Sequence, residues 1–109
     1  MDNKERIDIL LLCCTDILSL AQLQRLTELC SNDNLIIDDN IIEKLEITLE
    51  LIIGMNGKCR RKSLKYIDMI LDLVYIDTDN KITRLDMYYN IVSRIKDNKI
   101  TWSPDILDI

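Results

Sequence analysis

The chain has 109 residues, with 19 acids against 14 bases for a net charge of -5, and Ile and Leu fill a third of it. That length suits a single domain with its own core, assigned here to 1–109 with a C-terminal tail from about 97. The absence of histidine excludes a histidine triad, a histidine metal site and a histidine pH switch, and the scarcity of glycine and proline argues against a turn-rich β-fold.

In chain order, apolar spacing predicts a first helix from about Lys4 to Leu18, with Ile7, Leu10, Leu11, Cys14, Ile17 and Leu18 inward. Ser19 and Gln22 match a capping box, so a second helix starts there at an angle to the first. It carries Leu20, Leu23, Leu26 and Leu29, and the polar run Ser31–Asn34 ends it. Asn40 and Glu43 offer a second capping pair for a third helix bearing Ile41, Ile42, Leu45, Leu49, Ile52 and Ile53. Gly57 reads as its left-handed stop. A basic block then leads into a fourth helix, whose apolar residues from Leu64 to Tyr75 wrap most of its circumference and mark it as the hub. A fifth helix from about Thr83 to Lys96 displays Leu85, Tyr88, Tyr89, Val92 and Ile95, although Leu73–Asp77 and Ile82–Tyr89 also suit a hairpin. Ser103-Pro104 is a helix-start signal in the tail. The fold class that results is all-α, a compact bundle of about five helices around a central apolar fourth.

Catalytic and metal chemistry find little purchase. Nucleophilic catalysis needs a base in reach of the nucleophile, and without histidine a Ser or Cys here would need an unusual one. Every carboxylate fits a solvated face or a cap, so the chain reads as no enzyme and calls for no cofactor. Cys13, Cys14, Cys30 and Cys59 contain no C-x-x-C. Adjacent Cys13 and Cys14 cannot share a tetrahedral zinc site on a regular helix. Cys13, Cys14 and Cys30 read as small buried hydrophobes. Asp77-x-Asp79-x-Lys81 fails as a calcium loop, because Lys81, Ile82 and Tyr88 stand where an oxygen ligand, glycine and glutamate belong. No apolar stretch is long enough to cross a bilayer, and no secretory signal is visible, so the expected setting is a reducing, cytoplasmic one.

Two features remain. Lys58, Arg60, Arg61, Lys62 and Lys65 place five positive charges in a run with no acid, on a chain otherwise strongly acidic. The run suits an anionic partner at a helix start, a nucleic-acid phosphate or an acidic protein segment, and equally a solvated loop that balances the acidic body. Arg60-Arg61-Lys62-Ser63 also has the form of a basophilic kinase site, with Ser63 as acceptor. The tail holds the sole tryptophan, Trp102, with Ile106 and Leu107 nearby; these either fold back on the bundle or make an oligomer or partner contact.

Two stretches carry a family resemblance. Leu18-Ser-Leu-Ala-Gln-Leu-Gln-Arg-Leu-Thr-Glu28, after the Leu- and Cys-rich Leu10–Cys14, resembles the helical core of filovirus transcription activators, as does Arg61-Lys62-Ser63-Leu64 before an apolar helix. Leu49-Glu50-x-x-Ile53-Gly54 and Met87-Tyr-Tyr-Asn-Ile-Val-Ser-Arg-Ile95 are similar to the core of the related pneumovirus antitermination factor. The match spans residues 5–96 with a shortened loop before the fourth helix, and the upstream Cys/Cys/Cys/His finger of that family is absent here. The resemblance implies an oligomerising helical domain of a host-cell cytoplasmic ribonucleoprotein. Such a domain binds viral nucleoprotein or phosphoprotein, and in some members RNA, in support of transcription, with Arg61 and Lys62 facing the partner. The rival expectation is a viral Bcl-2-like helical inhibitor of host signalling or apoptosis, holding an amphipathic host helix in a groove. A third is an assembly subunit whose tail is buried only in a homo-oligomer.

Overall fold

A computed structural model describes residues 2–76 and 79–97. Its elements are α1 (Asn3–Cys13), α2 (Leu20–Ser31), α3 (Asp39–Ile53), α4 (Gly57–Asp72) and α5 (Lys81–Lys96), with no strand among the described residues. The expected all-α bundle is what forms. The stretch that also suited a hairpin strand, Ile82–Tyr89, is helical.

Local chemistry sets the helix starts. Asp2 caps α1 by accepting from the Glu5 N–H. Ser19 and Gln22 form the reciprocal capping box on α2. The cap of α3 is Asp38, not Asn40: its carboxylate accepts from the Asn40 N–H at 2.7 Å, which places Asn40 inside the helix. Asn56 caps α4 through the Cys59 N–H at 3.0 Å.

Two expected boundaries and one buried face shift for identifiable reasons. α1 stops at Cys13, because Cys14 leaves helical geometry and its carbonyl accepts from both Ile17 and Leu18 in a turn. Leu18 still reaches the core from that turn. On α2, Leu26 and Leu29 are buried but Leu20 is 72% exposed. A strict three-residue spacing drifts about 60° per step around a helix of 3.6 residues per turn, so four such leucines cannot share one face. The buried line is Gln22, Leu26 and Leu29 instead. Gly57 is not a left-handed stop: it is the first residue of α4, and α3 ends at Gly54 with φ -79°.

Helices α3, α4 and α5 form the heart of the bundle, and α1 and α2 pack on it. α3 buries Ile41, Ile42, Leu45, Thr48, Leu49 and Ile52 and touches α1, α4 and α5. α4 buries Tyr66, Ile67, Ile70 and Leu71 and touches α2, α3 and α5. A hub position peculiar to α4 is not seen, and its outer face is charged. Lys44 of α3 bonds Asp86 of α5 at 2.8 Å, and Gly54 at the end of α3 meets Lys96 at the end of α5. These two helices therefore run parallel, and α4 returns against them. Polar ties fix the outer pair: Arg6 of α1 pairs with Glu46 of α3, and Arg25 of α2 with Asp68 and Asp72 of α4.

The Thr48 hydroxyl is fully buried and has no hydrogen-bond partner among the described residues. An unpaired buried hydroxyl costs free energy that an isosteric methyl does not. Thr48→Val is expected to raise the unfolding free energy by about 1 kcal/mol, read by urea unfolding, while Leu49→Ala next to it lowers the same quantity by about 3 kcal/mol.

Candidate partner-binding face

The basic block is not a loop. It occupies the first two turns of α4, because Asn56 caps the helix ahead of it. Helical periodicity then sorts the five cations. Lys58, Arg61, Lys62 and Lys65 stand at i, i+3, i+4 and i+7 and share one face. Lys58 and Arg61 are exposed, and Lys62 and Lys65 are half-buried, with the Lys65 ammonium 5.4 Å from the Tyr66 ring centre. The outer face continues through Asp68 and Asp72, so α4 is cationic in its N-terminal half and anionic in its C-terminal half.

Arg60 belongs elsewhere. Its guanidinium reaches back to the end of α3, donating to the carbonyls of Met55 at 3.1 Å and Ile53 at 3.4 Å. Lys96 arrives at the same place from the last turn of α5: a Cβ on Gly54 would sit 3.0 Å from its ammonium. Carbonyls left unpaired at a helix C-terminus attract cations, so both side chains answer the dipole of α3. Gly54 keeps the space open for Lys96. Arg94 and Lys96 add charge to the last turn of α5. Sequence spacing alone gives no sign of this arrangement, since Lys96 reaches the end of α3 only through the fold.

The first turns of α4 run against their own dipole. Its N-terminus is positive, yet no acid lies in the first turn. Like charges at i,i+3 and i,i+4 add repulsion, for a combined cost on the order of 1–2 kcal/mol. Among the remaining helices, α1 and α3 carry the acids that their first turns favour, α2 carries no charge there, and α5 opens on the single cation Lys81. The charges at the start of α4 therefore oppose the local preference of the helix, while farther along Lys65 packs its ammonium over the Tyr66 ring.

The remaining candidates fall into place. Ser63 is fully buried and its hydroxyl donates to the Met55 sulfur at 3.3 Å, so a kinase has no access to it in the folded chain. Cys14 and Cys59 are buried and Cys30 is half-buried, but Cys13 is exposed, contrary to its expected place in the core. It falls one position short of the buried Cys14, off the inward line. Burial pushes the Cys14 thiol up, with a smaller contribution from Cys13. Burial, with a hydrogen bond and charge from Asp8, raises Cys30 to about 11. Among the described residues no cluster of metal-ligating side chains occurs. No helix of the described residues is long and apolar enough to cross a membrane. Shallow depressions lie along α5, beside Met87, Asn90 and Arg94, and along α2, beside Leu20 and Leu23. Trp102, Ile106 and Leu107 lie outside the described residues, as does Asp77.

Compared with protein-family models, curated proteins and solved structures, the chain matches none.

Two outcomes check this geometry. Lys58→Glu places an acid where the dipole favours one and removes two repulsive contacts, so the melting temperature should rise by about 4 °C; a fall would mean the face is structural. Limited alkylation of the native chain near pH 8 should mark Cys13 first, with Cys14, Cys30 and Cys59 protected until unfolding. Mass spectrometry of the digest reads the order.

Proposed function

We propose that the chain is a non-enzymatic helical interaction module that holds an anionic partner on the outer face of α4. The observation that carries this reading is the row Lys58, Arg61, Lys62 and Lys65 on one helical face, opposed to the helix dipole and set on an acidic body. Such a field steers an oppositely charged segment and repels the rest of the molecule from it. The resemblance to filovirus activators and pneumovirus antitermination factors supplies the setting: a viral ribonucleoprotein in the host cytoplasm. There the partner is a nucleoprotein or phosphoprotein, RNA is the alternative anion, and the outcome is support or regulation of transcription. Arg61 and Lys62, the positions that the resemblance marks, lie on the same face.

The rival inhibitor reading needs an apolar groove between helices for a host helix. The depressions on α2 and α5 each lie along a single helix, which favours the charged face over that reading.

The test is affinity capture from cells of the native source, with and without ribonuclease, comparing the natural chain with Lys58→Ser/Arg61→Ser/Lys62→Ser. Arg60 is left intact because it caps α3. Nucleoprotein or polymerase components recovered by the natural chain and lost by the variant are the expected outcome. Recovery of host apoptotic or signalling proteins alone, equally by both chains, would contradict it.

A further inference from the structure

The reading above leaves open which anion the α4 face takes, and the geometry points to a short acidic protein segment in preference to a nucleic acid. This inference rests on that reading and narrows it. The cationic row from Lys58 to Lys65 extends about 10 Å along the helix axis, at 1.5 Å per residue. Beyond it the same face turns acidic at Asp68 and Asp72. Arg25 pairs with both carboxylates and offsets one of the two charges, so that end of the face remains net negative.

A nucleic-acid backbone presents phosphates in an unbroken line, one charge per about 1.7 Å of duplex axis. Laid along α4 it would run from the cations onto Asp68 and Asp72, over a body whose net charge is already -5. A peptide with three or four acids within two helical turns ends where the cations end.

Among the described residues, rings for base contacts are missing from the face as well. Single strands are held by aromatic rings on which bases stack. Tyr66 is fully buried and Tyr88 nearly so, while Tyr89 lies half-buried with the Lys44 ammonium 4.9 Å from its ring centre. Tyr75 is exposed, but it follows Asp72 at the acidic end. What the row does offer is cations at i, i+3, i+4 and i+7, a spacing that acids on a facing helical or extended segment can meet singly. Lys58 and Arg61 are the exposed pair that would make first contact.

Fluorescence anisotropy with two defined probes decides the matter. One is a short peptide of glutamates at helical spacing among alanines, and the other is an oligouridylate of matched length. Each is titrated into the full chain and into Lys58→Glu/Arg61→Glu, whose folding is verified by circular dichroism. Acids suit the N-terminal turns of a helix, so this variant keeps α4. The expected result is peptide binding by the natural chain that falls about tenfold or more in the variant, with weaker oligouridylate binding throughout. Oligouridylate bound as tightly as the peptide or more so, and released by the charge reversal, would overturn the inference while leaving the α4 face as the site. Peptide binding that ignores the charge reversal would overturn the assignment of this face. Binding of neither probe would overturn both the inference and the function on which it rests.

Discussion

Everything in this bundle depends on the burial of one face of α3. Ile41, Ile42, Leu45, Leu49 and Ile52 have almost no contact with solvent, and α1, α4 and α5 all pack against their helix. Each buried Ile or Leu contributes roughly 1.5–3 kcal/mol relative to exposure, so this face supplies a large part of the driving force. It also dictates orientation. Because α5 runs parallel to α3 and α4 returns between their ends, the last turns of α3 and α5 and the first turn of α4 share one pole.

At that pole the helix dipoles sort the charges. The carbonyl end of α3 binds Arg60, which is thereby committed to structure, and has the Lys96 ammonium beside it. The same logic would place acids at the start of α4, and there the chain does the opposite. Lys58, Arg61, Lys62 and Lys65 share one outward face there, Lys58 and Arg61 exposed and the Lys65 ammonium resting over the Tyr66 ring. Real proteins break local rules of this kind at functional sites, which is the ground of the proposed contact. The separation of Arg60 from its four neighbours gives the face its content, because a run of cations with no division of roles would equally describe a solvated helix.

Much of the fold is legible in the residues themselves. The Ser19–Gln22 capping box locates α2 to the residue, and the apolar spacing of Ile41 through Ile52 identifies the buried side of α3. The all-α class follows from composition and period together. The site was only half legible. Gly54-Met55-Asn56-Gly57 looks like a glycine stop followed by a loop, and so hides the fact that Asn56 caps a helix that already contains the basic block. Once the block is helical, its i, i+3, i+4, i+7 spacing is plain from the sequence. The role of Arg60, the arrival of Lys96 and the burial of Ser63 are tertiary facts, which a one-dimensional pattern does not carry. Leu20 shows the opposite limit: a leucine on a helix, counted at a spacing of three, drifts off the face that the first turns define.

A competing surface exists on the same molecule. Leu12 is 81% exposed, with Ile9 one turn before it on α1, and Leu20 is separately exposed at the start of α2; an apolar partner would choose such side chains over the cations. The two surfaces are separated most directly by an NMR titration of the isotope-labelled chain with the glutamate peptide, following backbone amide shifts. The account predicts that the amides of residues 57–65 move together and saturate at one affinity. Shifts confined to α1 and α2 around Leu12 and Leu20, with α4 unmoved, would contradict it.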